Sequence, residues 1–130
     1  MQQYVPLYVA PSPLGGRGVF SRDAIAEGTL IEICPVVVLP PEQLPVIHDT
    51  KLHDYYFLWG WEDNECAIAL GYGSLYNHAY DPNARYLVDI DQDAIEIIAR
   101  RDIRAGEEIT VSYNGDPEDQ TPVWFDQSQA

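Results

Sequence analysis

The stretch Ala69-Leu-Gly-Tyr-Gly-Ser-Leu-Tyr-Asn-His-Ala-Tyr-Asp-Pro-Asn83 decides how the rest of the chain is read. It suits neither helix nor strand. Gly71 and Gly73 loosen the backbone at its start, and Asp81-Pro82-Asn83 closes it with a turn. Between these breakers stand Leu75, Tyr76, Asn77 and His78. An apolar, aromatic loop in a small domain is expected to be buried, and Asn77 and His78 then need hydrogen-bond partners. Buried irregular backbone is costly unless something is built on it, so this segment is the candidate active centre.

Working outward, the 130 residues suit one domain, and an apolar share of 46% supports a small core. The 21 Asp and Glu residues outnumber the 7 Lys and Arg, for a formal net charge of −14. Such a surface repels phosphate backbones and argues against direct nucleic-acid binding. It attracts a basic protein or lysine-rich peptide during encounter, although a merely solubilising acidic surface has the same composition. No signal peptide or membrane span is apparent, so the expected setting is soluble and intracellular, cytoplasmic or nuclear, with no membrane partner. Cys34 and Cys66 lack CxxC spacing and are expected to be reduced core cysteines, with a single disulfide as the alternative. No Cys/His cluster of zinc type is present, so no metal is expected.

Short strands dominate the pattern. Tyr4 to Ala10 suits an edge strand, because Pro6 cannot donate to a ladder. Leu30 to Leu39 is a β-rich run, and Pro40 to Pro45 a loop. Leu52, Tyr55, Tyr56 and Trp59 fall near one face of a helix spanning Leu52 to Trp61. Glu65 to Leu70 is a strand leading into the opening stretch. Arg85 to Asp91 and Ala94 to Ala99 form a hairpin around Asp91-Gln92-Asp93, and Ile109 to Tyr113 is a last strand. Arg22 to Ile31 also echoes Arg101 to Ile109, each a polar turn ending in Gly before a strand. The spacing therefore predicts a mainly β domain.

Gly15-Gly16-Arg17-Gly18 lets backbone amides approach a ligand, yet lacks the context of a dinucleotide or P-loop motif. Asp89, Asp91 and Asp93 open like a calcium loop, but Ala94 and Arg100 stand where Gly and Glu are needed. His48-Asp49 and His53-Asp54 are expected to be solvated surface pairs. Tyr113 ends its strand before a Gly turn, a place suited to core packing or to aiming a hydroxyl into a site.

Taken in order, Gly16-Arg-Gly-Val-Phe20, Ala26-Glu-Gly28, Asn77-His78 with Asp81-Pro82-Asn83, and Ile103-Arg-Ala-Gly-Glu-Glu-Ile-Thr-Val-Ser-Tyr113 form a more specific set. It resembles the SET domain of protein lysine methyltransferases from about Pro11 to Gly115. Ser12-Pro-Leu-Gly-Gly16, Ala69-Leu-Gly-Tyr-Gly73 and Asp81-Pro-Asn-Ala-Arg85 are similar to small stand-alone SET proteins of the viral type.

The resemblance implies a β-clip-like fold of small curved sheets with a knot-like C-terminal crossing, where Asn77-His78 meets Ile109 to Tyr113. It implies one SET domain over 1–130, with a core of about 11–115 and 116–130 as lid or tail. S-adenosylmethionine is the implied cofactor, held by Gly16, Arg17, Gly18, Asn77 and His78. The implied reaction moves its methyl to a lysine ε-amine of a basic protein. Tyr113 is the implied catalytic tyrosine, and Tyr55, less directly Tyr56, lines the channel. Tyr76 is a further channel wall, with core packing as its alternative. Val111 stands where many relatives place Phe or Tyr, which implies di- or trimethylation.

The departures are Ala79 after Asn-His, Asn114 between Tyr113 and Gly115, and the lack of a post-SET cysteine cluster. Trp124 and Phe125 are then an aromatic lid or ordinary C-terminal packing, and a homodimer is another way to complete the site. A catalytically silent SET-like peptide-binding module is the competing function, and a β-clip protein without a ligand is a third.

Overall fold

Local patterning gives the hairpin at once. β8 (Ala84–Asp89) pairs antiparallel with β9 (Ala94–Ala99), and the Asp89 carboxylate accepts from the Gln92 amide at 3.1 Å to fix the turn. Ala94, Ile95, Ile97 and Ala99 are buried, so β9 is the core strand of the pair. The computed structural model describes residues 2–114, 117, 118 and 120. Trp124 and Phe125 lie outside the described residues.

The preceding elements are β1 (Gln2–Gln3), β2 (Leu7–Pro11), β3 (Arg17–Ser21), β4 (Leu30–Leu39), α1 (Leu44–His48), β5 (Tyr56–Trp59), β6 (Glu65–Ala69) and β7 (Asn77–His78). β10 (Glu108–Val111) follows the hairpin. One sheet has the order β5-β6-β4-β9-β8, with β1 also paired to β4; the other runs β2-β3-β10-β7. The first sheet curls far enough for Phe57 on edge strand β5 to meet Tyr86 on edge strand β8, ring centroids 5.2 Å apart. Val19, Ile31, Ile95, Ile97 and Ile109 form the core between the sheets.

The expected crossing is present. β7 pairs parallel with β10, Asn77 beside Thr110 and His78 beside Val111. Asn83 completes the bracket: its buried amide donates to the Glu108 carbonyl at 2.8 Å and accepts from the Thr110 amide at 2.9 Å. One side chain thus serves as a strand partner, and its loss would leave buried backbone groups unpaired at about 1–3 kcal/mol each. The two echoed turns pair with each other. Ile25 and Ile103 exchange backbone hydrogen bonds of 2.8 Å, and the glycines that end the turns, Gly28 and Gly106, have φ of 84° and 81°.

Three expectations need correction. The helix over Leu52 to Trp61 is a 3-10 turn, Lys51–Asp54, followed by strand β5. The Thr50 hydroxyl caps the turn by accepting from the Leu52 amide, and the aromatic run Tyr56–Trp59 pairs with β6. Helical spacing on four residues was outweighed by the β preference of that run. Pro40 to Pro45 is not a plain loop, because a 3-10 turn at Pro41–Gln43 leads into α1, where proline fits the first turn. The edge strand expected over Tyr4 to Ala10 starts only at Leu7, as β2, after a bend at Tyr4 and Val5. Cys34 and Cys66 are buried and free, as the spacing predicts.

Candidate functional site

Two clefts meet at the crossing. The first, of about 750 Å³, is lined by Gly15, Gly16, Arg17, Lys51, Leu75 and Asn77. The second, of about 670 Å³, lies inside the curl of the larger sheet, among Tyr56, Phe57, Tyr76, Tyr86 and Val111. Asp54, Tyr55, Ser74 and Tyr113 line both and form the waist between them. The threaded strand brings Tyr113 to the waist, and the 3-10 turn after α1 brings Asp54 and Tyr55.

Tyr113 is held at both ends. Its amide donates to His78 Nδ1 at 2.9 Å, and its hydroxyl donates to the Tyr76 carbonyl at 2.8 Å. Burial above all, then Tyr55, Asp54 and Glu108, pushes its phenol up to about 12. The group therefore keeps its proton at physiological pH and is no base. With that proton aimed at Tyr76, its oxygen can present only acceptor lone pairs to the waist. His78 Nδ1 accepts from a backbone amide, which fixes the neutral tautomer with the proton on Nε2. This histidine is an anchor for the strand and is not arranged as a general base.

The glycine cleft is ordered by a carboxylate. Glu108 accepts from Ser12 Oγ at 2.5 Å and from Asn77 Nδ2 at 2.7 Å, while Asn77 Nδ2 also donates to the Arg17 carbonyl at 2.9 Å. Gly18 lies behind this cluster, where a Cβ would run into the Glu108 carboxylate. Gly15 and Gly16, with φ of 117° and 60°, bend the loop over the cleft mouth. Arg17 and Lys51 give the cleft two cations, which suit a carboxylate-bearing ligand, and its size suits a nucleoside-sized one.

Among the sequence-predicted residues, Gly16, Arg17 and Asn77 line the glycine cleft, Tyr76 and Val111 the aromatic cavity, and Tyr55 and Tyr113 both. Gly18 and His78 stand behind the walls. Tyr76 is also core, only 2% exposed, so its two readings hold together. His48, Asp49 and Asp54 are exposed, as expected of surface pairs, and His53 is half-buried. The two histidines also border the aromatic cavity, with ring centroids 4.2 Å apart, and His48 Nδ1 is 2.8 Å from the Tyr56 hydroxyl.

Sequence reasoning missed Asp54 as a wall residue, Ser74, Glu108 and Ser12. Ser12 and Glu108 are 96 positions apart. The one available signal was Glu108 itself, an acid in a strand that had to be buried against the glycine loop.

A family model described as the SET domain matches residues 16–114. A histone-lysine N-methyltransferase of Schizosaccharomyces pombe, specific for H3 lysine-37, is 33% identical over 122 residues, spanning 93% of this chain and 78% of that protein. The histone-lysine N-methyltransferase set9 of Neurospora crassa is 35% identical over 79 residues, which is 61% of this chain and 10% of that protein. A crystal structure of a Plasmodium falciparum protein, assigned as a histone methyltransferase, superposes with a TM-score of 0.70 at 31% identity. It covers 96% of this chain and 99% of that one.

Proposed function

The chain belongs to the SET-domain family of protein lysine methyltransferases, and on that premise we propose that the two clefts are the halves of one reaction centre. The glycine cleft holds S-adenosylmethionine, the aromatic cavity admits a lysine side chain of a histone-like basic protein, and the two meet at Tyr113. The observation that carries this reading is the waist, where Tyr113, its hydroxyl fixed by the Tyr76 carbonyl, lines both clefts.

The bound cofactor supplies a methyl on a positively charged sulfur. Arg17 and Lys51 suit its carboxylate, and Asn77 and the Gly16 backbone its polar end. Gly18 and His78 serve that site indirectly, as backing for Glu108 and for the strand. For the lysine, Tyr56, Phe57, Tyr76 and Tyr86 form a wall that excludes water and favours the neutral amine needed for attack. Tyr55 flanks the entry, and the Tyr113 oxygen accepts from the amine and orients its lone pair, so positioning carries the rate. Asp54 and Asp63 draw a basic segment to the mouth. Val111 leaves space for added methyls, which supports di- or trimethylation.

The outer lip formed by Leu58, Leu87 and Val88 is apolar and 51%, 39% and 42% exposed. Among the described residues no helix is long and apolar enough to cross a membrane, and a histone-like substrate would place the enzyme in the nucleus.

Incubation with labelled S-adenosylmethionine and core histones, read by mass spectrometry, is expected to give di- or trimethyl-lysine. Monomethyl-lysine alone would contradict the Val111 reading. Peptide binding with neither methyl transfer nor cofactor heat would favour the silent module. Specific activity that rises with enzyme concentration would show that a second copy completes the site.

A further inference from the structure

Glu32 is the one fully buried acidic side chain among the described residues. A bulge places it there: between Leu30 and Glu32, β4 gains a residue relative to β9, so the consecutive Ile31 and Glu32 both turn inward. No ion pair compensates it among the described residues. Donors do. The Tyr76 hydroxyl donates to one carboxylate oxygen at 2.7 Å; the Tyr72 amide at 3.0 Å and Gln3 Nε2 at 3.3 Å donate to the other. The Cys34 thiol is pushed up by burial first and then by the charge of this carboxylate.

These donors matter because of where they lie. Tyr72 and Tyr76 sit in the irregular segment after β6, which has no sheet partner to hold it. The segment is pressed onto the same spot, since a Cβ at Gly73 would stand 2.7 Å from the Ala69 Cβ and 3.0 Å from the Cys34 sulfur. Its last carbonyl, on Tyr76, receives the Tyr113 hydroxyl. A carboxylate is a pure acceptor and can take all of these donors. A glutamine has one acceptor oxygen and would turn its NH₂ toward a donor.

We propose that Glu32 is a positioning residue for methyl transfer: it ties down Tyr72 and Tyr76 and so, through the Tyr76 carbonyl, sets the Tyr113 hydroxyl at the waist. The inference rests on Tyr113 acting at the reacting centre. Glu32 lines neither cleft, so its effect must pass through the segment it holds; coupling to Tyr113 separates a path through that carbonyl from one through the Tyr76 ring.

The test is a double-mutant cycle of Glu32→Gln and Tyr113→Phe, with kcat at saturating substrates and the S-adenosylmethionine Kd read separately. Glu32→Gln should lower kcat about tenfold with an unchanged cofactor Kd, and about twofold or less when Tyr113 is already Phe. An equal factor in both backgrounds, or no change in kcat, would overturn the proposal. If Glu32→Gln does not fold, Tyr76→Phe removes the hydroxyl donor, keeps the ring and enters the same cycle with the same expectations. If Tyr113→Phe alone leaves kcat unchanged, the reading of the reaction centre fails first and this inference falls with it.

Discussion

The two clefts share Tyr113 but are built in opposite ways. The glycine cleft depends on missing side chains and on a half-buried carboxylate, Glu108, that gathers Ser12 and Asn77. The aromatic cavity depends on bulk, and the carboxylate behind it, Glu32, is sealed from solvent. The glycine side is a shaped backbone held by charge-assisted bonds, so damage there should appear as lost ligand affinity. The aromatic side is a packed wall, so damage there should appear in turnover, product and stability.

The sharpest way to break this contrast is at the glycine cleft. Gly18→Ala should displace Glu108, and Glu108→Ala should release Ser12 and Asn77 together. Hydrogen bonds to a charged group contribute about 1.5–3 kcal/mol, so the cofactor Kd should rise by about ten- to a hundredfold. Calorimetric titration reads it. A large loss of kcat at saturating cofactor, with Kd intact, would erase the distinction between the clefts.

On the other side, Val111→Phe should fill the cavity next to Tyr113 and shift the product toward monomethyl-lysine, as read by mass spectrometry. Overpacking of a buried site should cost about 1–3 kcal/mol of stability, leaving cofactor affinity alone. At the waist, Asp54→Asn should raise the KM for a basic peptide about fivefold at low salt and less at high salt. An effect that ignores ionic strength would remove Asp54 from substrate attraction.

The smallest effect concerns pH. The Tyr113 phenol is ordinarily near 10 and here is pushed up to about 12 by burial first, then by Tyr55, Asp54 and Glu108. Folding therefore favours the protonated form. The stability this group contributes is complete below about 10 and is lost as pH rises toward 12. Burial, then Glu32, raises Tyr76 in the same direction. Urea melts from pH 9 to 12 should show falling stability, with a shallower fall in Tyr113→Phe.

Legibility in the sequence followed range. The β8–β9 hairpin announced itself because its strands and turn are contiguous. The crossing of Asn77-His78 with Ile109 to Tyr113 was available only through the family resemblance, since parallel pairing across that distance leaves no local pattern. The stretch after Thr50 misled because Leu52, Tyr55, Tyr56 and Trp59 keep helical spacing across what is a 3-10 turn followed by a strand. His48 and His53 were legible as surface residues, but their place at the rim of the cavity depends on how α1 and the turn after it pack. Glu32 was hidden in an apolar run because the bulge that turns it inward depends on β9.

Tyr113→Phe, with kcat and the S-adenosylmethionine Kd measured on the same preparation, tests the shared waist most directly. Removing one preorganised hydrogen-bonding group from a reacting centre should lower kcat by about 10²-fold, while Kd stays within about twofold. Unchanged turnover, or a Kd that rises in step with the loss of turnover, would contradict a tyrosine that orients the amine between two separately built clefts.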